Sequence, residues 1–552
     1  MKKILSLFVI IILAVTSALA GEQPDAVYHK IVRSYKLHED GTVDVRFRKE
    51  LQLFSLDAFY NTYGETFIPY NTDFQTLTIH EAYTIRKDGS RVETPANAFN
   101  PSLPFGCTDC DRFNSMREMV VTHTALEYDA TIVLDYTIHT NTIFFPQLME
   151  QINLYEDAPI EYYEVNVEVP DEFPILYFKN YDAQIEQFSE KRTDTNTMVM
   201  QWVFQNLPQK PADAYLVPGY LPYLLVTTIP SPAYFAELLA NQTGFLYYNP
   251  DLFQDVLKET VKEEDSKVEQ MLAIRDYVAR RFHVNHLPIK YVNYLVASSY
   301  TVWNSTCATP FELDMLLAQM LNAAGFTCDF GFFYEGMMDD VQSAVKVNID
   351  GRPYYISASY TDNVPMEVRR APDSFVSIRT DIDELSVPKV QVDLSATVAV
   401  DLKSSVSMRK AEASQQTLRP AKEPTVKTKV TPLHNGYYQL DVKPSVAGTP
   451  VKAARLTRER TIPLFTPLVE ERYEYDLRLP AGARWVTQSY EIAKEYPFGS
   501  IHIQYAVHGD TMHVLRQLTV TQNTIMPKEY PDFKEMMSWW DEQYDLIYTT
   551  NR

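Results

Sequence analysis

The chain has 552 residues, and its 45% hydrophobic and 13% aromatic content is that of a packed protein rather than a disordered one. Such a length exceeds a single hydrophobic core, so roughly two to four domains are expected. A formal charge of −22 argues against nucleic acid and anionic membrane surfaces as partners.

Residues 1–20 read as a signal peptide. Lys2 and Lys3 supply the charged start, Ile4 to Val15 the apolar middle, and Ala18-Leu19-Ala20 a small-residue cleavage site before Gly21. No cysteine follows the apolar run, so no lipid anchor is expected there. No later stretch reaches the ~20 apolar residues of a membrane span. The expected location is the periplasm, with secretion as the second choice.

Residues 21–235 read as a first domain, an antiparallel β-sandwich. Val43, Val45 and Phe47 alternate with polar residues after His38-Glu39-Asp40-Gly41, and Leu77, Ile79, Tyr83 and Ile85 lead into Lys87-Asp88-Gly89-Ser90. Ile132, Leu134, Tyr136 and Ile138 alternate strictly, as do Val165, Val167 and Val169 before Pro170. Cys107-Thr108-Asp109-Cys110 admits a redox pair, half a zinc site or a local disulfide. Neither a βαβ context nor a second cysteine pair of the right spacing is visible, so a local Cys107–Cys110 disulfide is the expectation. The prolines from Pro208 to Pro232 suggest an edge or linker running over the surface.

Residues 236–390 form the expected second domain. Val268, Met271, Leu272, Ile274, Val278 and Phe282 make one apolar helix side. His283 and His286 follow; their spacing suits a metal ion, but no Cys or carboxylate partner stands near, and surface histidines are expected. Thr309-Pro310-Phe311-Glu312 announces a second helix, with a Thr cap, Pro at the first position and Glu closing a capping box. Leu313, Leu316, Leu317, Met320, Leu321 and Ala324 give it a buried face, and Gly325 suits a left-handed cap. A strand from Phe326 to Tyr334 follows. The hairpin Val345–Ile349, Asp350-Gly351, Tyr354–Ile356 comes next.

Cysteine, helix, strand and hairpin in this order resemble the transglutaminase-like superfamily, whose core is papain-like. The resemblance implies a nucleophilic Cys at the helix N-terminus, a His opening the next strand and an Asp after the hairpin. Counting back by the family's spacing from Gly325 gives Pro310, with Cys307 three residues earlier. Gln342 falls at the His position and Ser357 at the Asp position, and no histidine occurs between Cys307 and His434. The expectation is a transglutaminase-like domain whose triad is degenerate at Cys307, Gln342 and Ser357. Three stretches of the first domain are similar to the module of unknown function that often precedes bacterial domains of this kind. They are Leu77 to Val92, Asn100-Pro101-Ser102-Leu103-Pro104, and Val120 to Glu127.

Residues 391–552 return to β. Tyr437 to Val442 and Ile501 to Tyr505 read as strands of a second β-sandwich. Leu402 to Lys429, rich in Ser, Thr, Lys and Gln, suggests a long exposed loop. A helix from Asp532 to Leu546 carries Phe533, Met536, Met537, Trp540 and Tyr544 on one face, expected to dock back on its own domain. The whole is thus a multidomain α+β protein.

Two functional readings follow. In the first, a non-catalytic protein binds a peptide, protein or glycan, or acts as a scaffold, through a cleft lined by Trp303, Asn304, Ser305, Cys307, Gln342 and Ser357. In the second, an exported cysteine peptidase or transglutaminase uses Cys307 as nucleophile, with a base such as His283 or His286 brought from outside the family position. A purely structural protein that assembles through its sheets is a third possibility. No cofactor or metal is expected. Cys328 is expected to be a buried thiol, because the helix sets it ~22 Å from Cys307, against a Cα limit of ~7 Å for a bridge.

Overall fold

A computed structural model describes residues 24–141, 145–217, 219–334, 341–367, 373–386, 389–400, 406–410, 412–415, 418, 425–444, 446, 448–542 and 545–550. The signal-peptide segment, parts of the Leu402–Lys429 run and Tyr544 lie outside these residues. The protein is multidomain and strand-rich.

The N-terminal part is built on an eight-stranded sheet. Strands Ala26–Leu37, Val43–Leu53, Thr131–Thr140 and Gln75–Ile85 neighbour one another in that order. The alternation read from sequence holds at Val165, Val167 and Val169, fully buried and separated by half-buried Asn166 and Glu168. It does not hold in Thr131–Thr140, where Ile132, Val133, Leu134 and Asp135 are all buried and Tyr136 and Ile138 only half-buried. An all-antiparallel sheet was the expectation, and the middle of this one departs from it. Ala26–Leu37 pairs with Ile160–Pro170 in parallel. A hairpin can only produce antiparallel neighbours; a parallel pair needs a long crossover, here everything between the two strands. The C-terminal six-stranded sheet repeats the departure, with Lys389–Ala399 parallel to Leu468–Arg478.

The Pro-rich stretch runs outside the strands and helices up to Pro222, with no described residue from 208 to 222 buried, but its later part is not a surface edge. Its proline-free piece, Tyr223–Thr227, is the central strand of a three-stranded sheet, flanked by Leu176–Asn180 and Met149–Asn153. Leu224 to Thr227 are buried there. Proline forbids ladder bonds only at its own nitrogen, so the prolines border the strand without breaking it. Upstream, Arg460 holds the chain from the C-terminal side, with Nη1 donating to the Ala214 carbonyl at 2.7 Å and lying 3.6 Å from Asp213.

The middle of the chain packs helices against a five-stranded antiparallel sheet. At its centre is Pro310–Ala323, the site helix below. It begins and ends as its residues dictate. Thr309 and Glu312 close the capping box. At the other end Gly325 takes φ +84°. Phe326 N–H donates to the Leu321 carbonyl and Gly325 N–H to that of Asn322, both at 3.0 Å, which is a Schellman motif. One apolar face was the expectation; instead every residue from Phe311 to Leu321 is buried. Helix Lys267–Arg281, helix Ser299–Trp303 and strands Thr327–Tyr334 and Gln342–Ile349 surround it. The Asp350-Gly351 turn joins Gln342–Ile349 to Arg352–Ile356 with positive φ at both residues, as its sequence requires.

The C-terminal part has a six-stranded and a five-stranded sheet. Strands Val406–Lys410 and Glu412–Gln415 lie in the run read as a loop, and Thr425–Pro432 begins inside it. Alternation, as at Val426, Thr428 and Val430, all buried, outweighs the polar composition there. The last helix spans Tyr530–Asp541 and buries Phe533, Met536, Met537 and Trp540. The residues beyond it, Leu546–Thr549, form a strand beside Tyr437–Pro444 rather than more helix.

Gly325 has open space around the position of a Cβ, so a Gly325→Ala variant meets only backbone strain. We expect it to lower stability by about 1 kcal/mol, read as a shift in the denaturant midpoint without a change in slope.

Candidate functional site

The N-terminus of the site helix is closed by a loop from the other end of the sequence. Short turns at Pro104–Cys107, Cys107–Cys110 and Cys110–Phe113 fold residues 103–116 into a compact plug. Leu103, Cys107, Cys110, Phe113 and Met116 pack with Cys307, Leu287, Tyr291 and Val292. Inside this cluster Cys110 and Cys307 form a disulfide, with Cα atoms 5.8 Å apart.

This pairing replaces the expected Cys107–Cys110 bridge; Cys107 keeps its thiol. The turn places Cys110 against a cysteine 197 residues away, a proximity that no local spacing reveals. The Cys107 thiol is pushed up by burial, while the Asn285 amide donating to it at 3.6 Å acts in the opposite direction.

Arg112 reinforces the tie. Its Nη1 and Nη2 donate to the Glu312 carboxylate at 3.0 and 2.5 Å, and Nη1 also reaches the Cys307 carbonyl at 3.2 Å. Glu312 further accepts from Thr309 N–H at 2.9 Å and Ala297 N–H at 3.2 Å. A carboxylate only 3% exposed is thereby satisfied by a two-pronged guanidinium and two amides, as a buried charge requires.

Two residues further along, on the opposite side of the helix, sits a second buried carboxylate. Asp314 Oδ2 accepts from Ser343 Oγ at 2.6 Å and Ser357 Oγ at 2.9 Å, and Oδ1 accepts from Ala358 N–H at 2.7 Å. Asp314 is fully buried and both serines are 1% exposed. Burial raises its pKa to about 7, against the opposing pull of the three hydrogen bonds. The knot joins the helix to the first strand of the hairpin and to the two residues that follow its second.

The six residues expected to line a cleft do not assemble into one. Trp303 packs on Phe253 and Tyr277 with Arg281 over its ring at 4.8 Å. Asn304 caps the short helix Ser299–Trp303, its side chain donating to Tyr300 O at 2.8 Å. Ser305 donates to the Val302 and Cys307 carbonyls. Cys307 is bridged. The Gln342 amide donates to the Ser343 carbonyl at 3.1 Å, and Ser357 belongs to the Asp314 knot. These side chains are engaged instead by nearby backbone, by aromatic neighbours, by Cys110 or by Asp314.

His283 and His286 are exposed. The backbone of His283 pairs with Cys307 in a short parallel ladder. Among the described residues no group of three or more His, Cys, Asp or Glu side chains is placed to hold a metal ion. Cys328 carries a buried thiol pushed up to about 12, chiefly by burial, and donates to the Ala318 carbonyl at 3.3 Å.

Sequence reasoning missed Arg112 and Asp314. Asp314 left a signal, a carboxylate inside an otherwise apolar helical run. Arg112 left none, being one charged residue in a polar loop.

Comparison with known proteins bears on both ends of the chain. Residues 39–211 match DUF3857 and residues 437–546 match DUF3858, each a domain of unknown function. No curated protein matches. A crystal structure described as a putative protease from Parabacteroides distasonis is similar over 95% of this chain and 99% of its own, at 26% identity and TM-score 0.77. A putative cysteine protease from Cytophaga hutchinsonii covers 55% of this chain and 90% of its own, at 10% identity and TM-score 0.20. The second likeness is too low to argue from; the first spans the whole architecture.

Two outcomes test the site. Asp314 has a folded-state pKa above its unfolded value, so its stabilising contribution is complete below about pH 4 and is lost as pH rises towards 7. Asp314→Asn keeps an acceptor for Ala358 and can donate to a serine hydroxyl. Its stability relative to the parent should rise between pH 4 and pH 8, on the order of 3–4 kcal/mol at most. Chemical denaturation across that range measures the difference, and parallel curves would contradict the assignment. Arg112→Ala leaves Glu312 buried without its partner and should destabilise by about 2–3 kcal/mol with the disulfide intact.

Proposed function

We propose that this is an exported, non-catalytic transglutaminase-like protein that binds a peptide or glycan or serves as a scaffold. Residues 236–390 are its papain-like core. β-Sandwich modules at 21–235 and 391–552 flank it, and its address is the periplasm. The boundaries near 235 and 390 are supported by the separation of the major apolar clusters into three, lying mainly before, between and after them.

The observation that carries the reading is the Asp314 knot. The site helix and the hairpin meet where the superfamily assembles its Cys, His and Asp. Here that junction holds a carboxyl and two serine hydroxyls closed to solvent. An acyl-transfer site needs a nucleophile, a base within reach of it, and room for substrate. Asp314, Ser343 and Ser357 provide no imidazole and no space. Cys307 sits before the helix cap with its sulfur in a bridge; a disulfide sulfur is not a thiolate and attacks nothing.

A second reading is favoured by the Parabacteroides distasonis neighbour and its description as a putative protease. It makes this chain a cysteine peptidase that uses Cys307 after reduction of the bridge. The two are separated by one assay. Purified protein, with and without reductant, is offered amine donors, glutamyl acceptors and peptidoglycan-type peptides beside a Cys307→Ala variant. We expect no turnover by either protein in either condition. Turnover that vanishes in the variant would establish the second reading in place of the first.

A further inference from the structure

The cysteines at the helix N-terminus number three, and only two are bridged. Cys107, Cys110 and Cys307 lie in one buried cluster. Cys110 stands between two partners. On one side Cys307 has its Cα at 5.8 Å. On the other, Cys110 N–H donates to the Cys107 carbonyl at 3.3 Å, closing a four-residue turn whose ends lie within ~7 Å, inside the reach of a disulfide.

We infer that Cys110 changes partner: Cys107 displaces Cys307, turning the tie between the N-terminal plug and the site helix into a local bridge and freeing the Cys307 thiol. The step is an ordinary exchange. The Cys107 thiolate attacks the Cys110 sulfur, and a Cys107–Cys110 bond forms. The Cys110–Cys307 bond breaks, its electron pair leaving on Cys307. The proton given up by Cys107 ends on Cys307. Nothing is oxidised or reduced overall, so no external reagent enters.

Two features suit the site to this role. Burial holds the Cys107 thiol up, and the Asn285 side chain donating to its sulfur at 3.6 Å partly offsets that in an otherwise apolar cluster. The Arg112–Glu312 pair and the Arg112 contact with the Cys307 carbonyl do not depend on the bridge. They hold the plug in place while the sulfurs trade partners, so the exchange is reversible and local. The consequence is mechanical. With the bridge at Cys110–Cys307 a cross-link ties the plug to the start of the site helix; after exchange, the intervening backbone aside, only noncovalent contacts hold the two together. This coupling is independent of whether the core binds, scaffolds or catalyses.

The test uses the full-length oxidised protein without reductant. It is incubated with N-ethylmaleimide, sampled over time, digested without reduction and mapped by mass spectrometry. We expect label to accumulate on Cys307 together with a peptide pair linked through Cys107 and Cys110, while Cys328 stays unlabelled. In Cys107→Ser the Cys307 label should disappear, and in Cys307→Ser the Cys107–Cys110 bridge should form on treatment with oxidised glutathione, which supplies the oxidant that the exchange itself does not need. Label confined to Cys107 in the parent protein would overturn the proposal. So would Cys307 label that appears only in step with Cys328, because global unfolding would then be its source. The parent measurement decides alone if either variant fails to fold.

Discussion

The site helix Pro310–Ala323 is buried on every side, and water therefore satisfies none of its interior polar groups. Each carboxylate it carries has to find donors inside the protein. Glu312 takes them from Arg112 and from two amides, and Asp314 takes them from the hairpin. These requirements order everything around the helix. The plug must come in from the N-terminal part to deliver Arg112. The hairpin must lie with Ser343, Ser357 and Ala358 turned to the helix. The Cys110–Cys307 bridge then adds covalent closure to a contact that charge pairing already specifies.

The same constraint separates structure from chemistry in this chain. A helix N-terminus beside a cysteine is the usual setting for an activated thiol, because the dipole and free N–H groups stabilise an anion there. Here the capping box occupies part of that setting. The Thr309 hydroxyl accepts from the Glu312 amide, the Glu312 carboxylate accepts from the Thr309 amide, Pro310 has no N–H, and Arg112 pairs with the carboxylate. Cys307, two residues before the cap, is covered by Phe113, Met116 and Leu287. The arrangement buries Cys307 and stabilises one geometry. Segments far apart in sequence are held elsewhere by contacts of the same kind. Arg460 fastens the Pro-rich stretch to the C-terminal part, and Phe145 stacks on Tyr294 at 4.1 Å across the first two.

What the sequence determined by itself is whatever closes within a few residues. The capping box Thr309–Glu312, the Gly325 cap, the Asp350-Gly351 turn and the alternating strands each satisfy their own backbone locally, so residue type alone specifies them. The sulfur and carboxylate partners were decided only in three dimensions. Cys110 meets Cys307 across 197 residues, Arg112 meets Glu312 across 200, and Asp314 meets Ser343 and Ser357 across 29 and 43. The two parallel strand pairs belong to the same class. Such contacts depend on the path of the chain, which is set by the summed burial of many side chains and is written in no single motif.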